Sequence, residues 1–268
     1  MGKAARPSRM NRTGLTIALA IAAVVGLVFA VYPELDIAIS ALFFDPQTKV
    51  FVIRVQPWVI HARDAARWMS ALIVAPAFLA ITGKIALPRA RMLVEGRAAL
   101  LMIVTLALGP GLIANTLLKD HWGRPRPVDI TQFGGVETFV PWWDTRGACP
   151  NNCSFIAGEV AGAFWTLAPA ALAPPQWRPL AYAGALIFGI AVGVLRVGSG
   201  GHFFTDAVFS GVIMFLVAWA AYGVIYRWRP TRIPAGAVER LLGHAGERIR
   251  GAFAGLLRLF RGQSGKPS

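Results

Sequence analysis

The sequence has few charged residues and very few acidic ones. Only 15% of its 268 residues are charged, whereas an average protein has roughly 25%. Acidic residues number 13 against 27 basic ones, and 56% of the chain is hydrophobic. Several apolar runs approach the roughly 20 residues that cross a bilayer, which a soluble protein would not need. The scarcity of charge therefore argues against a soluble protein and indicates an integral membrane protein.

Cysteine is also scarce, with Cys149 and Cys153 alone in the segment GACPNNCS. Three residues separate them, so they do not form a CxxC redox motif, and no histidine cluster lies nearby to complete a zinc site. A small disulfide loop is expected if this segment faces an oxidising compartment. Two free thiols are the alternative. We expect neither a metal site nor a cofactor.

The net charge of +14 has two readings. In a soluble chain it would suggest nucleic-acid binding. Membrane proteins, however, accumulate lysine and arginine in their cytoplasmic loops. We therefore expect a membrane lipid and no nucleic acid as the partner.

The apolar runs predict an all-α membrane protein with six transmembrane helices, in a domain covering residues 1–232. Residues 33–67 are too polar to span the bilayer and predict an amphipathic segment at the membrane interface. Residues 237–261, inside a basic tail at 233–268, have apolar residues at helical spacing. This tail predicts an amphipathic helix on the anionic cytoplasmic surface, with dimerisation as the alternative. The predicted spans are residues 14–32, 68–86, 98–118, 155–173, 180–195 and 203–226.

The distribution of basic residues predicts the orientation. The first apolar run is long for a cleaved signal peptide, so we interpret it as a retained span. Six spans put both termini on one side, and two thirds of the basic residues lie on that side. The excess marks the termini as cytoplasmic and the face with both cysteines as periplasmic, in a bacterial inner membrane.

Polar groups from separate stretches reach the predicted periplasmic face. Ionisable groups at the mouths of membrane helices are costly and are usually functional. Three cations can neutralise a phosphoryl group and the charge of its transition state, and arginine forks match phosphate oxygens. The group comprises Lys119 and Arg126 after the third span, Glu159 at the start of the fourth, Arg196 at the end of the fifth, and His202 and Asp206 at the start of the sixth.

His202 and Asp206 lie four residues apart, so they stack on one helix face. A carboxylate bonded to one ring nitrogen fixes the tautomer and leaves the other nitrogen free to attack phosphorus. The pattern predicts His202 as the nucleophile, with Asp206 orienting it.

The motif K-x6-R-P from Lys119 to Pro127 and the motif R-x5-H-x3-D from Arg196 to Asp206 resemble those of the type-2 phosphatidate phosphatase (PAP2) superfamily. A short glycine-centred motif at Gly158 lies between them, and the resemblance covers about residues 98–226. It implies a PAP2-like helical core in which His202 forms a phosphohistidine. It also implies phosphate binding by Lys119, Arg126, Arg196 and the backbone N–H groups of Ala157 and Gly158.

The middle motif departs from the family pattern Pro-Ser-Gly-His, because this chain has Ile156, Ala157, Gly158 and Glu159 there. Glu159 stands where the family has its general acid, and it can donate a proton only if an apolar site raises its pKa. The alternative is a structural carboxylate paired with Arg126 or Arg196. The pattern S-F-x-x-G-E is similar to a branch that includes bacterial lipid A phosphatases, especially the 4′ type.

Two further residues are candidates for substrate contact. His121 could replace the missing acid, or it could simply pack in the loop. Arg124 could bind a second phosphate or an anionic headgroup, or it could be an ordinary solvated arginine.

The sequence thus predicts a lipid phosphatase acting at the periplasmic face, with the 4′-phosphate of lipid A favoured over the 1-phosphate. Undecaprenyl diphosphate, phosphatidylglycerophosphate and phosphatidate are alternative substrates, and a lipid phosphotransferase is an alternative reaction. A non-catalytic lipid-phosphate binder is the rival hypothesis. The paired His202 and Asp206 argue against it, because a binder needs cations but no oriented nucleophile.

Overall fold

The protein is mostly helical in the computed structural model, which describes residues 10–263 and the side chains of residues 12–254. The α-helices are α1 Met10–Val31, α2 Glu34–Ala41, α3 Trp58–Ala86, α4 Gly96–Leu106, α5 Lys119–His121, α6 Gly158–Phe164, α7 Leu167–Ala170, α8 Arg178–Gly198, α9 Phe204–Tyr222 and α10 Ala237–Gln263. Wider π-helical turns at Ala107–Leu118 join α4 to α5, and others at Gly223–Arg227 extend α9. Short 3₁₀ turns lie at Pro127–Asp129 and Thr131–Phe133.

Five helical segments in the described part of the chain are long and apolar enough to cross a membrane. Large side chains on their outer faces, such as Leu27 and Leu79, are more than half exposed, as expected for residues that meet lipid rather than water. The prediction of a multi-pass membrane protein is confirmed at this level. The five segments are Arg12–Val31, Pro57–Ala86, Gly96–His121, Arg178–Gly198 and Phe204–Arg227.

The predicted fourth span, residues 155–173, is not one continuous helix. It is divided into α6 and α7, with a break at Trp165 and Thr166. Most of it is buried against α3, α8 and α9, and the ring of Phe164 fills the space beside Gly189 and Gly211. The segment forms the centre of the bundle, and a sixth span is not confirmed.

The region before the second predicted span also differs from the expectation. Helix α3 begins at Trp58 rather than near residue 68, because the charged groups of its first turns are paired: Arg67 with Asp64, and Arg63 with Glu159. The predicted interfacial segment contains helix α2 and an antiparallel hairpin of β1 Phe44–Asp45 and β2 Val50–Phe51. The purely helical prediction is therefore wrong for this hairpin.

Helix α10 matches the helix predicted for the tail, and its first turns pack on the bundle. A carboxylate oxygen of Glu239 accepts a hydrogen bond from the backbone N–H of Gly96 at 2.7 Å. A Cβ at Gly246 would lie 2.3 Å from the carbonyl oxygen of Ile85. Gly96 begins α4 and Ile85 is near the end of α3, so α10 lies at the end of the bundle opposite to His202.

Candidate active site

His202 lies in the turn between α8 and α9 and is only 2% exposed. Burial lowers the pKa of His202 well below its usual value, and the positive charges of Arg196, Arg126 and Lys119 lower it further. The imidazole is therefore neutral at neutral pH. A neutral ring has a nitrogen lone pair, which nucleophilic attack requires.

The tautomer of His202 is set by the backbone of Ser154. The ring Nδ1 lies 2.7 Å from the Ser154 carbonyl oxygen. A carbonyl oxygen can only accept a hydrogen bond, so Nδ1 carries the proton. Nε2 is then the unprotonated nitrogen. This is the arrangement that a phosphorus-attacking histidine needs, but sequence spacing did not identify Ser154.

The prediction that Asp206 bonds directly to His202 is wrong. The nearest Asp206 oxygen lies 3.9 Å from Nδ1, which is too long for a hydrogen bond. Asp206 instead accepts hydrogen bonds from the Ser154 hydroxyl at 2.5 Å and from the Phe203 backbone N–H at 2.8 Å. It therefore acts on His202 indirectly, because it fixes Ser154 and the first turn of α9.

The prediction that Arg124 contacts the substrate is also wrong, and so is the alternative of a solvated loop arginine. Its side chain is 0% exposed and lies between two carboxylates, Asp36 at 2.7 Å and Asp206 at 2.5 Å. It also donates to the carbonyl oxygen of Val140 and to the hydroxyl of Thr205. A guanidinium enclosed in this way holds α2, α9 and the long loop of residues 122–157 together and cannot reach a lipid.

Lys119 and Arg196 both lie directly against glycines. A Cβ at Gly158 would be 3.5 Å from the Lys119 ammonium nitrogen, and one at Gly201 would be 2.5 Å from the Arg196 guanidinium. Any larger residue at Gly201 would displace the arginine. Lys119 and Arg196 thus lie beside the backbone at Gly158 and at the turn that carries His202, and the charges of both act on His202.

Arg196 has an unused donor. Its Nε is buried and has no hydrogen-bond partner among the described residues, although a carboxylate oxygen of Glu159 lies 3.6 Å away. A buried donor without a partner is costly. The site therefore offers an open position for an anion at Arg196.

Arg126 is positioned by the disulfide loop. Its Nε and Nη2 donate to the carbonyl oxygen of Asn152 at 3.2 and 2.7 Å, and Cys149 and Cys153 close the loop as a disulfide. The backbone N–H of Cys153 also donates to the carbonyl oxygen of Lys119. Desolvation lowers the pKa of Arg126, yet the guanidinium stays charged because its usual pKa is so high. The loop thus places Arg126 relative to Lys119.

Glu159 is paired mainly with an arginine that sequence reasoning missed. Arg63, near the start of α3, donates from Nε to one carboxylate oxygen at 3.0 Å and from Nη2 to the other at 2.5 Å. Of the two predicted partners, Arg196 lies within ion-pair distance of Glu159 at 3.6 Å, whereas Arg126 donates its hydrogen bonds to Asn152. The paired guanidinium stabilises the ionised form of Glu159.

His121 makes its hydrogen-bond contacts outside the cluster of cations around His202. Its side chain is exposed, and Nδ1 lies within hydrogen-bond distance of the carbonyl oxygens of Thr116 and Leu117. The described residues contain no group of three or more His, Cys, Asp or Glu side chains that could hold a metal ion. The site is thus a neutral histidine surrounded by cations.

Several known proteins are similar to this chain in sequence. The sequence model of the PAP2 superfamily matches residues 98–232. A lipid A 4′-phosphatase of Francisella tularensis subsp. novicida (strain U112) is 31% identical over 220 residues, which cover 81% of this chain and 98% of that protein. Lipid A 4′-phosphatases of Rhizobium leguminosarum and Rhizobium etli are 38% identical over 117 and 133 residues, about half of each relative.

A solved structure is also similar. It is a transmembrane PAP2-type phosphatidylglycerolphosphate phosphatase from Bacillus subtilis, 20% identical, and the alignment covers 80% of this chain and 94% of that chain with a TM-score of 0.47.

Proposed function

The chain belongs to the PAP2 superfamily and is a membrane phosphatase; we propose that its substrate is lipid A, from which it removes the 4′-phosphate. The observation that carries the proposal is the neutral, buried His202 among Lys119, Arg126 and Arg196. The substrate assignment is supported by the Francisella relative, whose length this chain covers almost completely.

In the first step, Nε2 of His202 attacks the phosphorus atom and the bond to the lipid oxygen breaks, giving a phosphohistidine. Nδ1 keeps its proton and its hydrogen bond to the Ser154 carbonyl oxygen, so the ring stays aligned as positive charge develops. Lys119, Arg126 and Arg196 bind the phosphate oxygens and stabilise the negative charge of the transition state. The unused Nε of Arg196 supplies one of these hydrogen bonds.

In the second step, water attacks the phosphohistidine and releases inorganic phosphate. The leaving lipid oxygen in the first step needs a proton, and the attacking water in the second must lose one. Glu159 occupies the motif position from which the superfamily's acid acts. The backbone N–H groups of Ala157 and Gly158 face the same phosphate in this scheme.

A cavity beside Arg126 gives the sugar headgroup a place to bind. Its volume is about 510 Å³, and Arg126 and Arg54 both line it. Asp129, Glu137 and Asn151 add side-chain acceptors for hydroxyl groups. A glucosamine unit next to the scissile phosphate would fill part of this space, whereas phosphatidate has no comparable polar group.

The site faces the periplasm of a bacterial inner membrane, and both termini are cytoplasmic. The excess of basic residues on the side of the termini supports this orientation. A disulfide at the active-site end is compatible with an oxidising compartment. The basic helix α10 then lies at the cytoplasmic end, where its exposed face meets anionic phospholipids.

Mass spectrometry of lipid A tests the proposed reaction. Lipid A from cells that produce the protein should lack one phosphate, and fragmentation should locate the loss at the 4′ position. Cells producing His202→Ala should retain both phosphates. Loss from the 1 position, or equal loss with His202→Ala, would overturn the assignment.

The cavity is tested separately with Arg54→Gln. This exposed residue is outside the three sequence motifs, and its loss should raise KM for lipid A several-fold while activity on phosphatidate changes less than twofold. Equal effects on both substrates would show that Arg54 contributes only general positive charge.

A further inference from the structure

The Arg63–Glu159 pair joins the active site to a helix outside the matched PAP2 region, residues 98–232. The two side chains are 96 positions apart in the sequence. They are only partly exposed, at 32% for Arg63 and 22% for Glu159. Arg196 lies 3.6 Å from the same Glu159 oxygen that accepts from Arg63 Nε. One carboxylate therefore faces two guanidinium groups at the phosphate site.

This arrangement conflicts with a simple acid role for Glu159. A carboxylate that accepts two hydrogen bonds from one guanidinium is stabilised as the anion and has no proton to give. Yet its position in the motif is that of the proton donor. The pair must therefore open if Glu159 is to protonate the leaving group.

We propose that the substrate phosphate displaces Glu159 from Arg63, so that Arg63 becomes a fourth phosphate-binding cation and the released Glu159 becomes the general acid. The proposal deepens the proposed function and rests on it. It assigns a catalytic role to Arg63, and it makes proton uptake by Glu159 depend on bound phosphate.

The charges around Glu159 support this exchange. The facing groups are Arg63 and Arg67 on α3, Lys119 on α5, Arg126 in the long loop and Arg196 on α8. In the free site these cations favour the ionised carboxylate. A phosphate dianion offers the guanidiniums a stronger partner, and it offsets two of the positive charges. A half-buried carboxyl group that loses its counter-ion beside an anion favours the protonated form.

The proton balance closes over the two steps. Glu159 takes one proton from water when phosphate binds. It gives that proton to the lipid oxygen as the bond to phosphorus breaks. The resulting carboxylate then accepts a proton from the water that attacks the phosphohistidine. Glu159 returns this proton to solvent when phosphate leaves, and Arg63 pairs with it again.

Proton uptake can be measured with tungstate, a phosphate-like dianion, on His202→Ala protein. This variant removes the histidine as an alternative proton acceptor. Calorimetric titration in buffers of different ionisation enthalpy should give uptake of close to one proton per bound tungstate. The double variant His202→Ala, Glu159→Gln should bind tungstate with no uptake. Equal uptake in both proteins, or none in either, would overturn the proposal, and neither result depends on which lipid is the substrate.

Steady-state kinetics tests the roles of the two residues. Arg63→Gln should lower kcat on the lipid substrate at least tenfold, and Arg63→Lys should restore part of the loss. The matched control is Arg146→Gln, an arginine in the loop after α5 that is 83% exposed and pairs with Asp144; its kcat should change less than twofold. Similar losses in both glutamine variants would overturn the role of Arg63.

Substrates with different leaving groups distinguish a general-acid role of Glu159 from a purely structural one. Glu159→Gln should lose at least tenfold more activity on a lipid alkyl phosphate than on p-nitrophenyl phosphate, whose leaving group needs no proton. A structural role would reduce both activities equally. Thermal unfolding in detergent accompanies each variant, so that a loss of folded protein is not counted as a loss of catalysis.

Discussion

Two arginine-centred clusters lie at the same end of the helix bundle and use similar residue types for different purposes. Arg124 is 0% exposed and lies between Asp36 and Asp206, with its donors bonded to protein oxygens. Arg196 lies beside Glu159 and has a buried Nε without a hydrogen-bond partner in the described part of the chain. The donors of Arg124 bond to protein oxygens, and we call Arg124, Asp36 and Asp206 the saturated cluster. Arg196 keeps a donor for a ligand, and we call Arg196 and Glu159 with the cations around His202 the open cluster.

The difference indicates which charges support the site and which act on the substrate. A buried charge is tolerated when its partners are complete, and the Arg124 cluster meets that condition. A site that binds phosphate must instead keep cations whose partners are incomplete until the ligand arrives. Ser154 connects the two clusters, since its hydroxyl bonds to Asp206 and its carbonyl oxygen accepts from His202.

The largest expected effect comes from breaking the saturated cluster. Arg124→Met would leave Asp36 and Asp206 buried without a counter-charge, and removing one partner of such a network costs about 3–5 kcal/mol. We expect little monodisperse protein in detergent, and a strongly lowered Tm for what is recovered. A normal yield and Tm would mean that the cluster does not support the fold.

The open cluster should respond in the opposite way. Arg196→Ala removes a proposed phosphate ligand, and loss of one such donor lowers kcat about 10²–10³-fold. The Tm should stay close to that of the wild type, because the guanidinium has few protein partners to lose. Phosphate release and thermal unfolding, measured on the same preparation, check both parts. A large fall in Tm would remove the distinction between the clusters.

Ser154→Ala should give an intermediate result. The variant loses the hydroxyl bond to Asp206 but keeps the backbone carbonyl that accepts from His202. The Asp206 oxygen keeps its hydrogen bond from the Phe203 N–H. Loss of one hydrogen bond to a charged group costs about 1.5–3 kcal/mol, so the Tm should fall moderately while kcat falls less than tenfold. If kcat falls as far as in Arg196→Ala, Ser154 has a direct catalytic role.

The smallest expected effect is a shift in the pH dependence of kcat/KM. In the proposed mechanism His202 attacks in its neutral form, and burial and the neighbouring cations lower its pKa. Activity that depends on the neutral ring is therefore lost only as pH falls through this lowered value, well below the usual 6.5. In Lys119→Met one of those charges is absent, and the acid limb of the kcat/KM profile should move toward 6.5. An unchanged limb would assign it to another group.

The sequence predicted the open cluster better than the saturated one. Lys119, Arg126, Arg196 and His202 were predicted as one group because phosphate chemistry requires a set of residue types at fixed spacing, and in the structure the three positive charges act on His202. Arg124 was misassigned because a loop arginine gives no local sign of burial. Its partner Asp36 is 88 positions away, and the Asp36–Thr205 bond spans 169 positions. Only the folded chain brings these groups together.

The helix boundaries, too, depend on tertiary contacts that the sequence alone does not reveal. Hydropathy predicted six spans, five of which match long apolar helical segments of the structure. It placed the start of α3 about ten residues late, because it counted Arg63, Asp64 and Arg67 as too polar for a span. Their pairing is a tertiary effect. The break between α6 and α7 was also missed, since small apolar residues look alike in a lipid-facing helix and in a buried one.

Trapping the phosphoenzyme tests whether His202 is the nucleophile. Protein mixed with lipid A labelled at the 4′-phosphate is quenched in alkali, in which phosphohistidine survives, and the labelled peptide is identified. We expect label on His202 in the wild type and in Glu159→Gln, and none in His202→Ala. Label on another residue, or turnover by His202→Ala at the wild-type rate, would contradict this expectation.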